Sequence, residues 1–595
     1  MITKYKPRAR KQTSAAVRPS GEFAHKRFET HAVKAPGTFH PDSKLKIIVL
    51  GGLEEVGRNM TLFQYDKEII IVDMGLQFPE EDMPGIDYII PNVNYLEDKA
   101  DMIKGVIITH GHYDHIGAIP YIMERLGNPT IYTTALTKEI ILKRQEDFPN
   151  SPKLDFEIIK NHDKVKFSEN FEAEFFGIIH SIPDTVSLLI KTPMGNFVYA
   201  TDVKFDYDEK NNPVGLEEFK WAGKNFNISA LFLESTNSEV QGLSTSEKTV
   251  EKNIEDIFKK AKGRIIIGTF ASMLTRIAKI VKIAAKYDRR VFFSGLSMKT
   301  NIQIAQNLGY MKVDKGTIMP IEEIHKYRDD KILILSTGAQ GEPNASLMKI
   351  VTGEHRFVQI KNSDTVIFSS SVIAGNERSV QYLKDNLSRQ GAKVYHSKIV
   401  DFHASGHATG EELKTVIELV KPRFFIPIHG HYFMRTTNAE IANSAGAAKE
   451  NIFVVDNGQM IEFSKTGAKV TDEILPTFYV MVDGLGVGDV GEIVMRDRRL
   501  LAQEGMVVVI ATLDRKSGRF LKNPDIISRG FIYLNENKEL IEELRTKIKS
   551  LVTRMPRHQA IESDYLKSLI RDQIGQFLYN KTKRRPMVLP VVIEV

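Results

Sequence analysis

Residues 106–115 read "VIITHGHYDH". An apolar run ends at Thr109, and His110, His112, Asp114 and His115 follow within six residues. The run predicts a buried strand, and the cluster then lies on the loop at its end. Imidazole and carboxylate are both good ligands for Zn²⁺. Four such groups on one tight loop crowd a single ion, but they can serve two ions side by side, with alternate residues facing different metals. Gly111 leaves the loop room for close approach.

Two ions about 3.5–4 Å apart need more ligands than four. The other strand ends supply candidates. "FEAEFFGIIHSIPDTVS" places His180 at one, "NFVYATDVK" places Asp202 at another, and "RFFIPIHGHY" places His429 at a third. Taken singly, a strand-end His or Asp is a common capping or turn residue. Together with the cluster they make a shell of seven. We assign His110, His112 and His180 to one zinc and Asp114, His115 and His429 to the other, with Asp202 bridging.

The rest of the chain limits the chemistry. Its 595 residues include no cysteine, so disulfides, iron–sulfur clusters and thiolate zinc sites are excluded. At about 150 residues per domain, three or four domains are expected. No apolar run approaches the roughly 20 residues that span a bilayer, and the N-terminus shows no apolar signal segment, so a soluble, cytoplasmic protein with no membrane partner is expected. Net charge is only +6, but residues 1–28 carry eight Lys and Arg against Glu22 alone. With no apolar period, this stretch reads as a disordered arm. A solvating tail and a nucleic-acid arm both stay open.

Order is expected from about residue 45. "KLKIIVLGG" predicts a strand, and "NMTLFQYDKEIIIVDMG" predicts two more around Asp66-Lys67. "AIPYIMERLG" predicts a helix closed by Gly127. From about 243 strands and helices alternate, as in "EKTVEKNIEDIFKKAKG", "RIIIGTF", "TRIAKIVKIAAKYD" and "RVFFSG". This predicts a parallel α/β unit. The Gly-rich "MVDGLGVGDVG" marks the start of a linker. Strands at "MVVVIATLD", "FIYLN" and "PMVLPVVIEV", with helices near 537–554 and 560–580, make a last small domain.

"DFHASGHATGEE" places His403 and His407 around Ser405 and Gly406. Small residues between two histidines suggest a turn whose backbone N–H groups can meet an anion. "LFLESTN" ends a strand in Glu234, and a carboxylate there can orient a histidine. The plainer alternatives are that Glu234 caps the next segment and that the histidines are outer hydrogen bonders.

These motifs carry a resemblance. "HGHYDH", His180, Asp202 and His429 match the ligand pattern of metallo-β-lactamase-fold hydrolases. Glu234, an inserted α/β region, "HASGHA" and "PIHGHY" resemble the β-CASP subgroup, which acts on nucleic acids. "GGLEEVGRNM", "TGAQGEP", "VDGLGVGDVG" and "RDRRLLAQEG" narrow it to the bacterial ribonuclease J family over about residues 45–595.

The resemblance implies an α/β protein. A metallo-β-lactamase αββα sandwich (44–240 and 371–485) holds an inserted β-CASP domain (241–370). A linker (486–503) leads to a small C-terminal α/β oligomerisation domain (504–595), and the basic arm (1–43) lies outside the pattern.

It further implies a zinc-dependent 5′-to-3′ exoribonuclease that also cuts internally. Such an enzyme prefers 5′-monophosphate ends of single-stranded RNA and works in mRNA decay and rRNA maturation. Two Zn²⁺ per subunit, with Mn²⁺ tolerated, and a homodimer or homotetramer are implied, with RNA-decay or ribosome-associated proteins as partners. Asp114, His407 and Glu234 are the expected catalytic residues. His403, Ala404, Ser405, Gly406 and His407 are expected to border the nucleotide. A small-substrate metallo-hydrolase and a non-catalytic RNA-binding scaffold are the competing classes. The first is disfavoured by the insert and the second by the intact shell.

Overall fold

The computed structural model describes residues 43–595, apart from 81, 374, 398, 515, 516, 518, 533–536 and 554–562. The basic arm therefore lies outside the described residues, Ser43 excepted.

Ile47 and Val49 face one side of strand Leu45–Gly51, and Ile48 and Leu50 face the other. A strand that is apolar on both faces must be covered on both. It sits inside an eight-stranded sheet, antiparallel through Met60–Tyr65 and Glu68–Val72 and parallel from there to Ile103–Ile107. A second, six-stranded sheet runs from Phe424–Ile428 through Ile228–Glu234, Gly195–Ala200 and Val186–Thr192 to its far edge. Phe63, Phe175, Leu188, Phe197, Phe232 and Ile426 fill the space between the sheets. Ile116, Ile119, Leu136 and Ile140 cover the outside of the first sheet, and Phe219, Leu413, Val416 and Ile417 the outside of the second. The result is the expected αββα sandwich.

Strands Ile228–Glu234 and Phe424–Ile428 are adjacent and parallel, although about 190 residues separate them. The intervening chain builds a separate five-stranded, all-parallel sheet. Helix Glu247–Lys260 opens it, with Ser246 Oγ accepting the Thr249 N–H at 3.1 Å as its cap. Val250, Ile254, Ile257 and Phe258 recur at helical spacing and pack inward. A domain end at 370 would cut this sheet. Helix Glu377–Arg389 covers it, and Lys393–Tyr395 is its last strand, so the insert runs past 395. That strand has three residues, too short to leave a period in the sequence.

Four other expectations change. "AIPYIMERLG" forms two short turns, Ile119–Ile122 and Glu124–Leu126, closed by Gly127 at φ 77°. "MVDGLGVGDVG" is not irregular: Val480–Asp483 and Gly486–Val487 form a hairpin that pairs with Tyr88–Ile90. Gly484 at φ 58° lets Gly484-Leu485 make the two-residue turn. The 486–503 connection contains helix Glu492–Glu504, held by Met495 against Met83, Ile86 and Ile89. In the C-terminal unit the strand lies at Asp525–Arg529, before "FIYLN", whose last three residues fall outside the described set. That unit pairs Met506–Leu513 with Asp525–Arg529 and with Met587–Glu594. Helices Lys538–Thr553 and Ser563–Thr582 cover one face.

A buried ion cluster joins the sandwich to the insert. Glu247 Oε1 accepts from Lys204 Nζ at 2.5 Å and from Arg276 Nη2 at 2.6 Å. Burial works against the Glu247 carboxylate, but the Arg276 and Lys204 cations win and hold its pKa down to about 2. A depressed carboxylate pKa contributes stability above the unfolded value of about 4.5, and that stability is lost as pH falls towards 2. Glu247→Gln should therefore lower the unfolding free energy at pH 7 by about 3–5 kcal/mol, since it strands two buried cations. In acid titrations the difference from the parent should shrink below pH 4. Equal chemical-denaturation midpoints at pH 7 would contradict the cluster's role.

Candidate metal centre

The loop after Ile103–Ile107 is held by backbone from the neighbouring strand end. Met74 N–H donates to His115 O at 2.8 Å and Leu76 N–H to Tyr113 O at 3.0 Å. Asn59 donates to Asp114 O from both its backbone and its side chain, at 3.1 Å each. The approach is so close that a Cβ on Gly75 would lie 1.5 Å from Asp114 O. At Gly111 the crowding is of a different kind from that expected. A side chain there would strike Ile140 Cδ1 at 2.8 Å rather than the loop itself.

The seven expected ligands meet at one place. His112 Nδ1 lies 3.1 Å from both His110 Nε2 and His180 Nε2, and Asp202 Oδ2 is 3.4 Å from each of those two nitrogens. Alongside, His115 Nε2 is 3.3 Å from Asp114 Oδ2 and 3.3 Å from Asp202 Oδ1. His429 Nε2 is 3.6 Å from Asp114 Oδ2, and His429 Nδ1 is 2.9 Å from Asp202 Oδ1. Four donors held tetrahedrally about 2.1 Å from one ion stand about 3.4 Å apart, which matches the first group; in the second the spacings run from 2.9 to 3.6 Å, with different ring nitrogens of His429 facing the two carboxylates. Asp202 touches each group with a different oxygen. Neither ring nitrogen of buried His429 makes a well-formed hydrogen bond, although each faces a carboxylate oxygen of the cluster.

The protonation pattern fits a centre built for cations. Burial, then the neighbouring His110, holds the His112 pKa down to about 3, and burial takes His180 well below the ordinary range. These rings are neutral and ready to ligate. The other group behaves oppositely. Burial opposes protonation there, yet Asp114, Asp202 and Asp73 drive His115 well above its ordinary pKa, and Asp202 and Asp114 push His429 up to about 10. Burial should likewise raise Asp114 and Asp202, but the facing histidines hold both well below the carboxylate range. The carboxylates around His115 and His429 thus favour positive charge at this point, as suits a centre built for cations.

Outer partners orient the ligands. Asp73 Oδ2 meets His115 Nδ1 at 2.8 Å and is itself held by the Thr109 hydroxyl at 3.0 Å. His180 Nδ1 bonds Gly406 O at 2.7 Å. Such partners fix ring tautomer and direction. Asp73, Asp202 and His429 have φ of 63°, 38° and 49°, left-handed values that cost on the order of 1–3 kcal/mol each in a residue with a side chain. All three stand at strand ends beside the centre. Asn59 and Asp73 were not singled out from the sequence, although "GRNM" and "VDMG" contain them.

Of the remaining expected residues, two come together at the rim. His407 Nδ1 bonds Glu234 Oε2 at 2.6 Å, while Glu234 Oε1 accepts the Val203 N–H. Burial opposes protonation of His407, but Glu234 and Asp202 raise its pKa. With Nδ1 turned to Glu234, Nε2 remains for the cleft, and the side chain is 23% exposed. His407 also lies within reach of Asp202 and His429. Ser405 Oγ accepts from Asn237 Nδ2 at 2.8 Å and from His407 N–H at 3.1 Å, which frees its own proton to donate. The backbone N–H groups of Ser405 and Gly406 have no acceptor among the described residues. His403 and Ala404 turn the other way, and both meet Arg276 rather than the cluster.

Family models match along most of the chain. The metallo-beta-lactamase superfamily covers residues 53–235. The ribonuclease J beta-CASP domain covers 262–387, and the Zn-dependent metallo-hydrolase RNA specificity domain covers 391–454. The ribonuclease J C-terminal domain covers 493–595. The chain is 36% identical over 552 residues to Ribonuclease J2 of Bacillus subtilis, covering 93% of this chain and 99% of that protein. It is also 36% identical over 551 residues to Ribonuclease J 1 of Streptococcus pyogenes, covering 93% and 98%. A crystal structure of a protein of unknown function from Enterococcus faecalis superposes with a TM-score of 0.52 at 16% identity, covering 70% of this chain and all of that one, and shares the fold.

Proposed function

This chain belongs to the ribonuclease J family and is a metal-dependent ribonuclease; from that premise we propose that it degrades single-stranded RNA 5′-to-3′ from 5′-monophosphate ends and also cuts internally. The observation that carries this reading is the pair of ligand groups sharing Asp202, with the His407–Glu234 pair at their rim.

Two ions, Zn²⁺ or Mn²⁺, would be held by His110, His112 and His180 and by Asp114, His115 and His429, with Asp202 between. When bound, they supply hydroxide at neutral pH by lowering the pKa of water towards about 7 and neutralise charge on the phosphate. The protein's own part is orientation and proton handling. Glu234 fixes His407 with Nε2 towards the cleft, where the ring can protonate the leaving 3′ oxygen or hydrogen-bond the phosphate. The Ser405 hydroxyl and the Ser405 and Gly406 N–H groups form a small donor cup suited to a terminal phosphate. Glu234 ends strand Ile228–Glu234, and the 403–407 loop is pinned by Asn237, so these groups are held in place without a substrate.

A cup of this size should accept a 5′-monophosphate and reject a triphosphate. Single-turnover exonucleolytic rates on otherwise identical RNAs should differ by about tenfold or more, on the scale of contacts to a charged group. Equal rates, with internal cuts blocked, would remove the end preference from this account.

We also propose a homodimer or homotetramer through the C-terminal domain, in the cytoplasm where mRNA decay and rRNA maturation occur. The face of its sheet away from the helices exposes Ile527, Leu589, Val591 and Ile593.

A further inference from the structure

The loop at 403–407 is held from two sides, and the side away from the metals has no role in the chemistry described so far. From the sandwich, Asn237 Nδ2 reaches Ser405 Oγ at 2.8 Å and His407 O at 3.0 Å. From the insert, Arg276 reaches the start of the loop. Arg276 lies on helix Leu274–Lys286 and is 2% exposed. Its Nη1 donates to His403 Nδ1 at 2.9 Å and to Ser369 O at 3.3 Å, and its Nη2 donates to Ala404 O at 3.0 Å. The remaining donors go to Glu247, with Nε to Oε2 at 3.1 Å and Nη2 to Oε1 at 2.6 Å. Lys204, from the sandwich, shares that carboxylate. Ser369, which receives Arg276, in turn donates its hydroxyl to Phe402 O at 2.7 Å.

We propose that Arg276 is a positioning residue for RNA: it locks the 403–407 loop to the docked insert and so sets the donor cup at the correct distance from the metal centre. This rests on the reading of that loop as a terminal-phosphate contact. An arginine side chain has no acceptor, so the His403 nitrogen facing it must carry a lone pair. The ring is therefore neutral with its proton on Nε2, a single fixed tautomer. Burial and the adjacent guanidinium keep it so. The planar fork is needed because one group must reach an imidazole, two carbonyls and a carboxylate at once. A lysine ammonium cannot match four acceptors at these angles. The loop's geometry thereby depends on Lys204, Glu247 and Arg276 being assembled, which happens only when insert and sandwich are docked.

The test uses the full chain with Arg276→Lys, which retains the charge, and Arg276→Met. Hydrogen exchange read by mass spectrometry should rise at least about tenfold across residues 402–409 in Arg276→Lys, with the strands of both sheets unchanged. The ratio of single-turnover rates on 5′-monophosphate and 5′-hydroxyl RNA should fall by about tenfold or more, because small misplacements of a positioning group cost up to about 10² in rate. A merely destabilising change would slow both RNAs alike and leave the ratio where it was. Should Arg276→Met fail to fold, Arg276→Lys still decides. Unchanged exchange at 402–409 in Arg276→Lys would overturn the proposal. If exchange rises while the parent enzyme itself shows no end preference, the locking role stands and the terminal-phosphate reading falls.

Discussion

Asp202→Asn is expected to cost RNA cleavage at least about 10³-fold and to lower the metal bound per chain. The side chain is 1% exposed and touches both ligand groups, Oδ2 beside His110 and His180 and Oδ1 beside His115 and His429. An amide keeps the shape but loses the charge, and its NH₂ presents hydrogens where a ligand needs a lone pair. Most of the rate should go with the metal, since a nucleophile available at neutral pH depends on it. Metal analysis by mass spectrometry beside single-turnover cleavage reads both effects. A variant with full metal content and near-parental turnover would show that Asp202 is not shared between the groups.

His407→Ala should reduce the chemical step by about 10²–10⁴-fold, the usual contribution of a positioned acid or base. Affinity for a long RNA should change little, because many phosphate contacts carry it. Glu234→Gln should show a smaller loss of the same kind, since it loosens the ring without removing it. The pH profile adds a sign. Glu234 and Asp202 raise the His407 pKa, so the protonated ring persists to higher pH than an ordinary histidine, and its contribution as an acid fades only on the alkaline side. A collapse of RNA affinity with an unchanged single-turnover rate would make His407 a binding residue only.

Much of the centre was legible because its groups follow buried strands. His110 to His115 are neighbours in sequence, and His180, Asp202 and His429 each end an apolar run, so one rule picked out the seven residues that the fold brings together. The same rule could not rank Asp73, which also ends a strand. Its role appears only once the fold sets it 2.8 Å from His115. Arg276 and Lys204 gave no signal, since each is one charged residue among many, and their partner Glu247 is distant in sequence. His403 was read with its neighbour His407 because they share a motif. The chain turns between them, so one faces Arg276 and the other Glu234. The insert's far end was missed because Lys393–Tyr395 is too short to show a period. The Val480–Val487 hairpin was hidden by the glycines that make its turn possible.

We propose that this chain cleaves RNA by means of metal held at the Asp202 cluster. The most direct measurement strips the full-length protein with chelator, confirms by mass spectrometry that it is metal-free, and follows cleavage of a 5′-monophosphorylated single-stranded RNA as Zn²⁺ or Mn²⁺ is returned. Cleavage should be absent without metal and should rise until two ions are bound per chain. Undiminished cleavage by the metal-free protein, or recovery of the Asp202→Asn variant to the parental rate on metal addition, would contradict it.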